Sequence, residues 1–196
     1  MQRKNDNDAA WRQIIAIDGP AGSGKSTIAR LVGEKLGYVY IDTGAMYRVA
    51  TLISIRSGIS ADTPELLAHE IERHDLVFRR SENGLRVMLD GEDVSLEIRD
   101  PRLTKMIGPV CELPQVREIL TRMQRKMGAA GGVVLEGRDI GTVVFPEAEI
   151  KVFMVASRET RAHRRYEELQ AKGIPADYER ILREQDARDE RDRSRD

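Results

Sequence analysis

An α/β fold built on a parallel central sheet is what this 196-residue sequence predicts, and three observations carry the prediction. A short β-branched run, Ile14 to Asp18, stops at a glycine-rich loop and passes directly into a helix-competent stretch. Short apolar runs then alternate with helical patterns, the rhythm of parallel strands joined by crossover helices. Hydrophobic residues make up 40% of the chain, enough for the core that a sheet covered on both faces requires.

The elements follow in order. Ile14 to Asp18 reads as a buried strand, and Lys25 to Leu36 as a helix closed by Gly37. Val39 to Ile41 is a second strand. Asp42 or Thr43 can then cap a helix that carries Met46, Val49, Ala50 and Ile53 on one face and ends near Gly58. A short helix from about Thr63 to His74 leads into two extended segments. The pairs Asn83-Gly84 and Asp90-Gly91 mark tight turns there, as in a small antiparallel insert. Pro114 opens a helix with Val116, Ile119, Leu120, Met123 and Met127 at helical spacing before Gly128, the two methionines reading as core filling. The runs VVLEGRDIGTVVF and IKVFMV supply two more apolar strands. Ser157 caps a helix ended by Gly173, with Arg158, Arg161 and Arg165 on one side. The last nineteen residues, from Tyr178, hold six Arg and seven acidic residues, the pattern of a solvated, salt-bridged helix.

Composition narrows the function classes. Thirty-two basic against 33 acidic residues leave a net charge of −1, so no global field recruits nucleic acid or membrane. Twenty-five of the basic residues are Arg and 7 are Lys, a bias that suits bidentate phosphate recognition. The single cysteine, Cys111, excludes an internal disulfide and a Cys₄ zinc site. The start resembles no signal peptide and no uncharged apolar run reaches 18 residues, so a soluble, cytoplasmic protein is expected.

The pattern G-x-x-x-x-G-K-[ST] is met by Gly19, Gly24, Lys25 and Ser26, between a strand and a helix as the chemistry requires. Chance would place those four residues in roughly one chain of this length in a hundred. The loop Gly19, Pro20, Ala21, Gly22, Ser23, Gly24, Lys25, Ser26 and Thr27 is expected to turn backbone N–H groups onto the phosphates of ATP. Lys25 would reach the outer phosphates, and Ser26 would offer a free hydroxyl to Mg²⁺. Arg48, just past the DTG turn, and Arg138-Asp139, in the EGRDIG turn, lie at strand ends where ligands of open α/β sheets gather. Singly they read equally well as local ion pairs. Together beside a phosphate loop they suggest a second anion site and a phosphorylated acceptor.

IDGPAGSGKST, DTGAMYR, GEDVS-x-x-IR (Gly91 to Arg99), P-x-VRE (Pro114 to Glu118), EGRDIGTVVFP and RDERDRSR together resemble the bacterial cytidylate kinase family of nucleoside monophosphate kinases. They run in family order from residue 14 to 195. The resemblance implies one P-loop domain over residues 1–196, a three-layer α/β fold with an acceptor-side β insert at about 62–112 and an Arg-rich helical lid at about 157–175. It implies transfer of the γ-phosphoryl group of ATP, with Mg²⁺, to CMP or dCMP, without a catalytic base. It places Arg48, Arg138 and Arg195 on the acceptor phosphate, Arg117 and Asp139 at the cytosine edge, and Arg188 and Asp192 at the sugar. Asp42 and Thr43 join the substrate side, and Arg158 and Arg161 the catalytic lid.

Residues 188, 192 and 195 are also one face of a helix by spacing, though a surface Arg188–Asp192 salt bridge would explain the first two equally well. Two departures stand out. Gly108 occupies a position where the family usually carries a serine against the base, and the chain ends at Asp196 where the family continues into a further strand and helix. An exposed sheet edge, weak ATP affinity and modest stability are expected from the second, and a monomer overall. The competing readings are another acceptor (UMP, AMP or a small alcohol), or a nucleotide-binding protein without turnover. A regulatory GTPase lacks support, since neither N-K-x-D nor D-x-x-G occurs.

Overall fold

The structure, a computed structural model, describes residues 12–81 and 84–193. Arg195 and Asn83 of the first expected turn lie outside them. In chain order come β1 (Ile14–Asp18), α1 (Lys25–Leu36), β2 (Val39–Asp42), α2 (Thr43–Ser57), α3 (Pro64–Glu72), β3 (Leu76–Ser81), β4 (Gly84–Leu89) and β5 (Glu92–Asp93). After a single 3₁₀ turn follow α4 (Pro101–Glu112), α5 (Pro114–Gly128), β6 (Val133–Gly137), β7 (Ile150–Phe153), α6 (Arg158–Ala171) and α7 (Tyr178–Arg193).

Four parallel strands form the central sheet in the order β2-β6-β1-β7. Alternation along β1 sends Ala16 to one face, with Ile41, Leu135, Met46, Val49, Val116 and Leu120, and Ile15 and Ile17 to the other, with Val134 and Ala29 of α1. Helices therefore cover both faces, the three-layer arrangement expected. The register matters most for function. Asp18 stands level with Gly137 and Asp42 with Glu136, so the carboxyl ends of β1, β2 and β6 present three acids along one edge. The phosphate loop leaves β1 there.

The insert is a β3-β4-β5 antiparallel sheet. Its second turn places Asp90 at φ 49° and Gly91 at φ 85°, the two successive left-handed residues that a two-residue hairpin turn of the twist-matching kind requires.

The structure adds one helix to the sequence reading and corrects two expectations. The added helix is α4, which takes in Gly108 and Pro109. Asp100 caps it by accepting from the Arg102 N–H at 2.8 Å, Pro101 supplies a pre-set first residue, and Pro109 is accommodated inside. Gly108 makes that possible: no Cβ presses on the following proline ring, and its own Cβ direction is open space. This helix packs on α2, which also lies against β6, α3 and α5, and α2 buries Ala45, Thr51 and Leu52 as well as the four predicted residues, so it is enclosed well beyond one face.

The stretch after Gly137 is not strand. Asp18 accepts from the backbone N–H groups of Ile140 (2.9 Å) and Gly141 (2.8 Å) and winds Ile140–Val144 into one wide helical turn. The strand β7 forms the exposed sheet edge that was expected: among the described residues it pairs with β1 alone, and Phe153 is 68% exposed. Finally, α7 is not wholly solvated, since Ile181 and Leu182 bury against Ala162 and Tyr166 of α6. Among the described residues no helix is long and apolar enough to cross a membrane.

Candidate active site

The phosphate loop is shaped by glycines that nothing else could replace. Gly19 has φ +143°, and a Cβ there would lie 2.1 Å from the Met154 carbonyl oxygen of the neighbouring strand end. Gly22 and Gly24 are also left-handed, which turns the loop's N–H groups inward at the start of α1. Lys25, 5% exposed, folds back over the loop and donates from Nζ to the Pro20 carbonyl at 2.7 Å. Burial, and then the charge of Arg138, lower its pKa to about 8. At pH 8 the free protein therefore holds Lys25 about half protonated. An arriving triphosphate favours the charged form, so nucleotide binding near pH 8 should take up about half a proton. Affinity should fall as pH rises through 8. Calorimetry in buffers of different ionisation enthalpy reads this directly, and zero uptake at pH 8 would disprove it.

Ser26 is not free, contrary to expectation: its Oγ donates to Glu136 Oε2 at 2.9 Å. Tyr40 donates a second, short hydrogen bond to the other oxygen of Glu136. This buried carboxylate at the end of β6 has its pKa raised, by burial first and the Asp42 charge second. Tyr40 is raised for the same two reasons. The sequence reading missed Glu136, although it begins the EGRDIG turn and a parallel strand's carboxyl end is a ligand position. The Ser26 lone pairs and Glu136 are hard oxygen donors of the kind Mg²⁺ prefers, and no cluster of three metal-ligating side chains exists among the described residues. The residues thus fit a Mg²⁺ that keeps waters and takes the rest of its shell from phosphate. Asp42 and Asp139 are engaged elsewhere.

A second group of charges lies beside the loop. Asp42 caps α2 through the Ala45 N–H (2.9 Å) and pairs with Arg48 at 2.8 Å, while the buried Arg48 Nε has no hydrogen-bond partner among the described residues. Thr43 is buried and donates to the Glu136 carbonyl at 2.6 Å, tying α2 to β6. Arg138 donates from Nε to Asp192 at 2.7 Å, which brings α7 onto the EGRDIG turn. Arg117 reaches Asp139 at 3.0 Å from α5. Arg188 is exposed as a residue, yet desolvation of its guanidinium by the surrounding groups, and then the charge of Arg138, lower its pKa. Its surroundings include Arg48, Asp192 and Cys111 as well, so it is no isolated surface pair with Asp192. Arg195 lies outside the described residues.

The α6 arginines divide. Arg161 is buried, forks onto Asp189 of α7 (3.1 and 2.5 Å) and donates to the Ala21 carbonyl at 3.2 Å. Arg164, which the sequence reading passed over, donates to the Gly22 carbonyl at 3.1 Å. Arg158 is exposed and paired with Glu159 and Asp186, and Arg165 with Glu168, so the structure does not bring those two to the loop.

A strand, a glycine loop with an inward lysine and a helix, on a parallel sheet with arginines gathered beside them, are the architecture of the P-loop kinase class. The sequence profile of the family described as cytidylate kinase matches residues 15–196. A cytidylate kinase from Pelotomaculum thermopropionicum is 52% identical over 182 residues, 92% of this chain and 80% of that protein. One from Streptococcus pyogenes is 48% identical over the same shares. A solved structure from Thermus thermophilus aligns at 23% identity and a TM-score of 0.43, over 94% of this chain and 85% of that one, too loosely to carry an argument. The chain belongs to the cytidylate kinase family.

Proposed function

We propose that this kinase transfers the γ-phosphoryl group of ATP to CMP or dCMP, giving ADP and CDP or dCDP. The observation that carries the reading is the convergence of Lys25, Arg48, Arg138 and Arg188 around the ends of β1, β2 and β6, where burial first and mutual repulsion second lower the pKa of Lys25 and Arg188. Such a cluster is satisfied by polyanions. The acceptor phosphate, with a second pKa of about 6, is largely dianionic at neutral pH, so no general base is needed. Alignment and charge neutralisation are the tasks.

Lys25 swings from the Pro20 carbonyl to the outer phosphates of the donor. Ser26, oriented by Glu136, would hold Mg²⁺, which would supply charge neutralisation for the phosphates. Arg48 and Arg138, with Arg195, hold the acceptor phosphate in line. Asp42 keeps Arg48 aimed and Thr43 fixes the turn beneath it. Arg117 and Asp139 read the cytosine edge, and Arg188 and Asp192 the sugar. Residues 62–112 form the acceptor side, and α6 acts as the lid, with Arg161 and Arg164 nearest the loop and Arg158 swinging in on closure.

ADP release from ATP and Mg²⁺, with CMP, dCMP, UMP, AMP and GMP each offered as acceptor, tests this reading. CMP and dCMP should be used far faster than the others. A preferred purine nucleotide, or no acceptor at all, would overturn it.

A further inference from the structure

Within five residues α7 holds four different parts of the molecule. Arg188 stands among Arg138, Arg48 and Cys111; Asp189 takes the fork of Arg161; Arg191 lies 3.8 Å from Glu112 of α4; Asp192 takes Arg138 at 2.7 Å. Asp189 is singular because its partner also touches the phosphate loop, through the Ala21 carbonyl. The side chains of Arg161 and Asp189 are only 5% and 13% exposed. The approach is close enough that a Cβ on Gly22 would sit 3.2 Å from the Arg161 Cβ.

We propose that Asp189 is a positioning residue that couples the donor and acceptor sites. Through Arg161 it sets the phosphate loop, and through the single helical turn to Asp192 it sets the acceptor arginine, Arg138. Three residues of α-helix rise about 4.5 Å and do not flex appreciably, so a shift of the loop on closing over a nucleotide is passed to Arg138. A bidentate pair transmits such a shift because both its N–H···O bonds fail together when the helices slide. Stability alone is a poor reason for the pair. The buried Arg161 Nε has no hydrogen-bond partner among the described residues, and a buried ion pair left incompletely bonded is seldom a net gain over apolar packing. Coupling between two ligands is reciprocal, so it can be read from either side.

This inference rests on the transfer reading above, and the experiment keeps the two separable. Calorimetry measures CMP affinity with and without a non-hydrolysable ATP analogue and Mg²⁺, in the wild type and in Asp189→Asn, beside wild-type turnover. The wild type should bind CMP at least about fivefold tighter with the analogue present. In Asp189→Asn that factor should fall below twofold while CMP affinity alone changes less than twofold. Should Asp189→Asn fail to fold, Asp189→Glu keeps the charge and displaces the helix, with the same loss expected. An unchanged coupling factor in whichever variant folds, even with a lower Tm, shows a structural clasp and overturns the proposal. So does failure of both to fold, or a wild type that turns over CMP without coupling. A wild type that neither binds nor phosphorylates CMP is instead a failure of the transfer reading.

Discussion

Lys25→Met should lower kcat about 10³-fold, the size of effect seen when one preorganised charge is removed from a transferring group. Methionine keeps the length and the burial of the side chain, so the loop's shape is retained and only the cation is lost. The protein should not become less stable. Lys25 is 5% exposed and its pKa lies near 8 in the fold, below the 10.5 of a free lysine. The unfolded chain therefore binds this proton more tightly than the native one, so at pH 7 the charge opposes folding. That opposition fades as pH rises from about 8 to 10.5. A variant without the charge should accordingly match or exceed the wild-type Tm at pH 7 and lose that advantage at high pH. Stopped turnover with an unchanged or raised Tm identifies a chemical role for Lys25. Turnover within tenfold of wild type would refute it, and a collapsed Tm would show the lysine to be a structural bracket for Pro20 instead.

How much of this site can be read from sequence depends on how far apart its partners are. The strand-loop-helix of residues 14–36 is local in every respect: periodicity, glycine positions and the Gly37 cap all lie within one window, and the structure reproduces its boundaries. Contacts across more than a hundred residues are not legible that way. Ser26 meets Glu136, and Asp18 winds the turn at Ile140, only because β1 and β6 are neighbours in the sheet, an order that no periodicity specifies. Pattern also fails where one signal serves two environments. IKVFMV is equally apolar as a buried strand or as the exposed β7 edge. Gly108-Pro109 is equally a loop or a tolerated pair inside α4. On α6, Arg158, Arg161 and Arg165 share a side by spacing, but of the three Arg161 is the one that is buried, forking onto Asp189 and donating to a loop carbonyl. The outer two find Glu159, Asp186 and Glu168 at the surface.

Arg138→Ala should cut phosphoryl transfer at least a hundredfold, and the structure explains why one arginine matters that much. Its Nε is bound to Asp192, a carboxylate that is 12% exposed, and its NH1 donates to the Gly137 carbonyl at 3.3 Å. The guanidinium is thus held from two sides, leaving the rest of the fork to face a ligand. It also stands close enough to Lys25 and Arg188 to lower the pKa of both. The proposed acceptor clamp and the tuning of the loop lysine thus fall on one residue. The two roles separate experimentally. Arg138→Lys restores charge without the fork, so it should return the pH profile set by Lys25 while recovering only part of the rate. Arg138→Ala should additionally move the Lys25 titration upward from 8, since a repulsive neighbour has gone. The pH dependence of nucleotide binding reads that shift independently of turnover. Near-wild-type transfer in Arg138→Ala would remove Arg138 from the acceptor clamp. A slow variant whose Lys25 titration stays at 8 would keep the clamp but show that the loop lysine is tuned by burial alone.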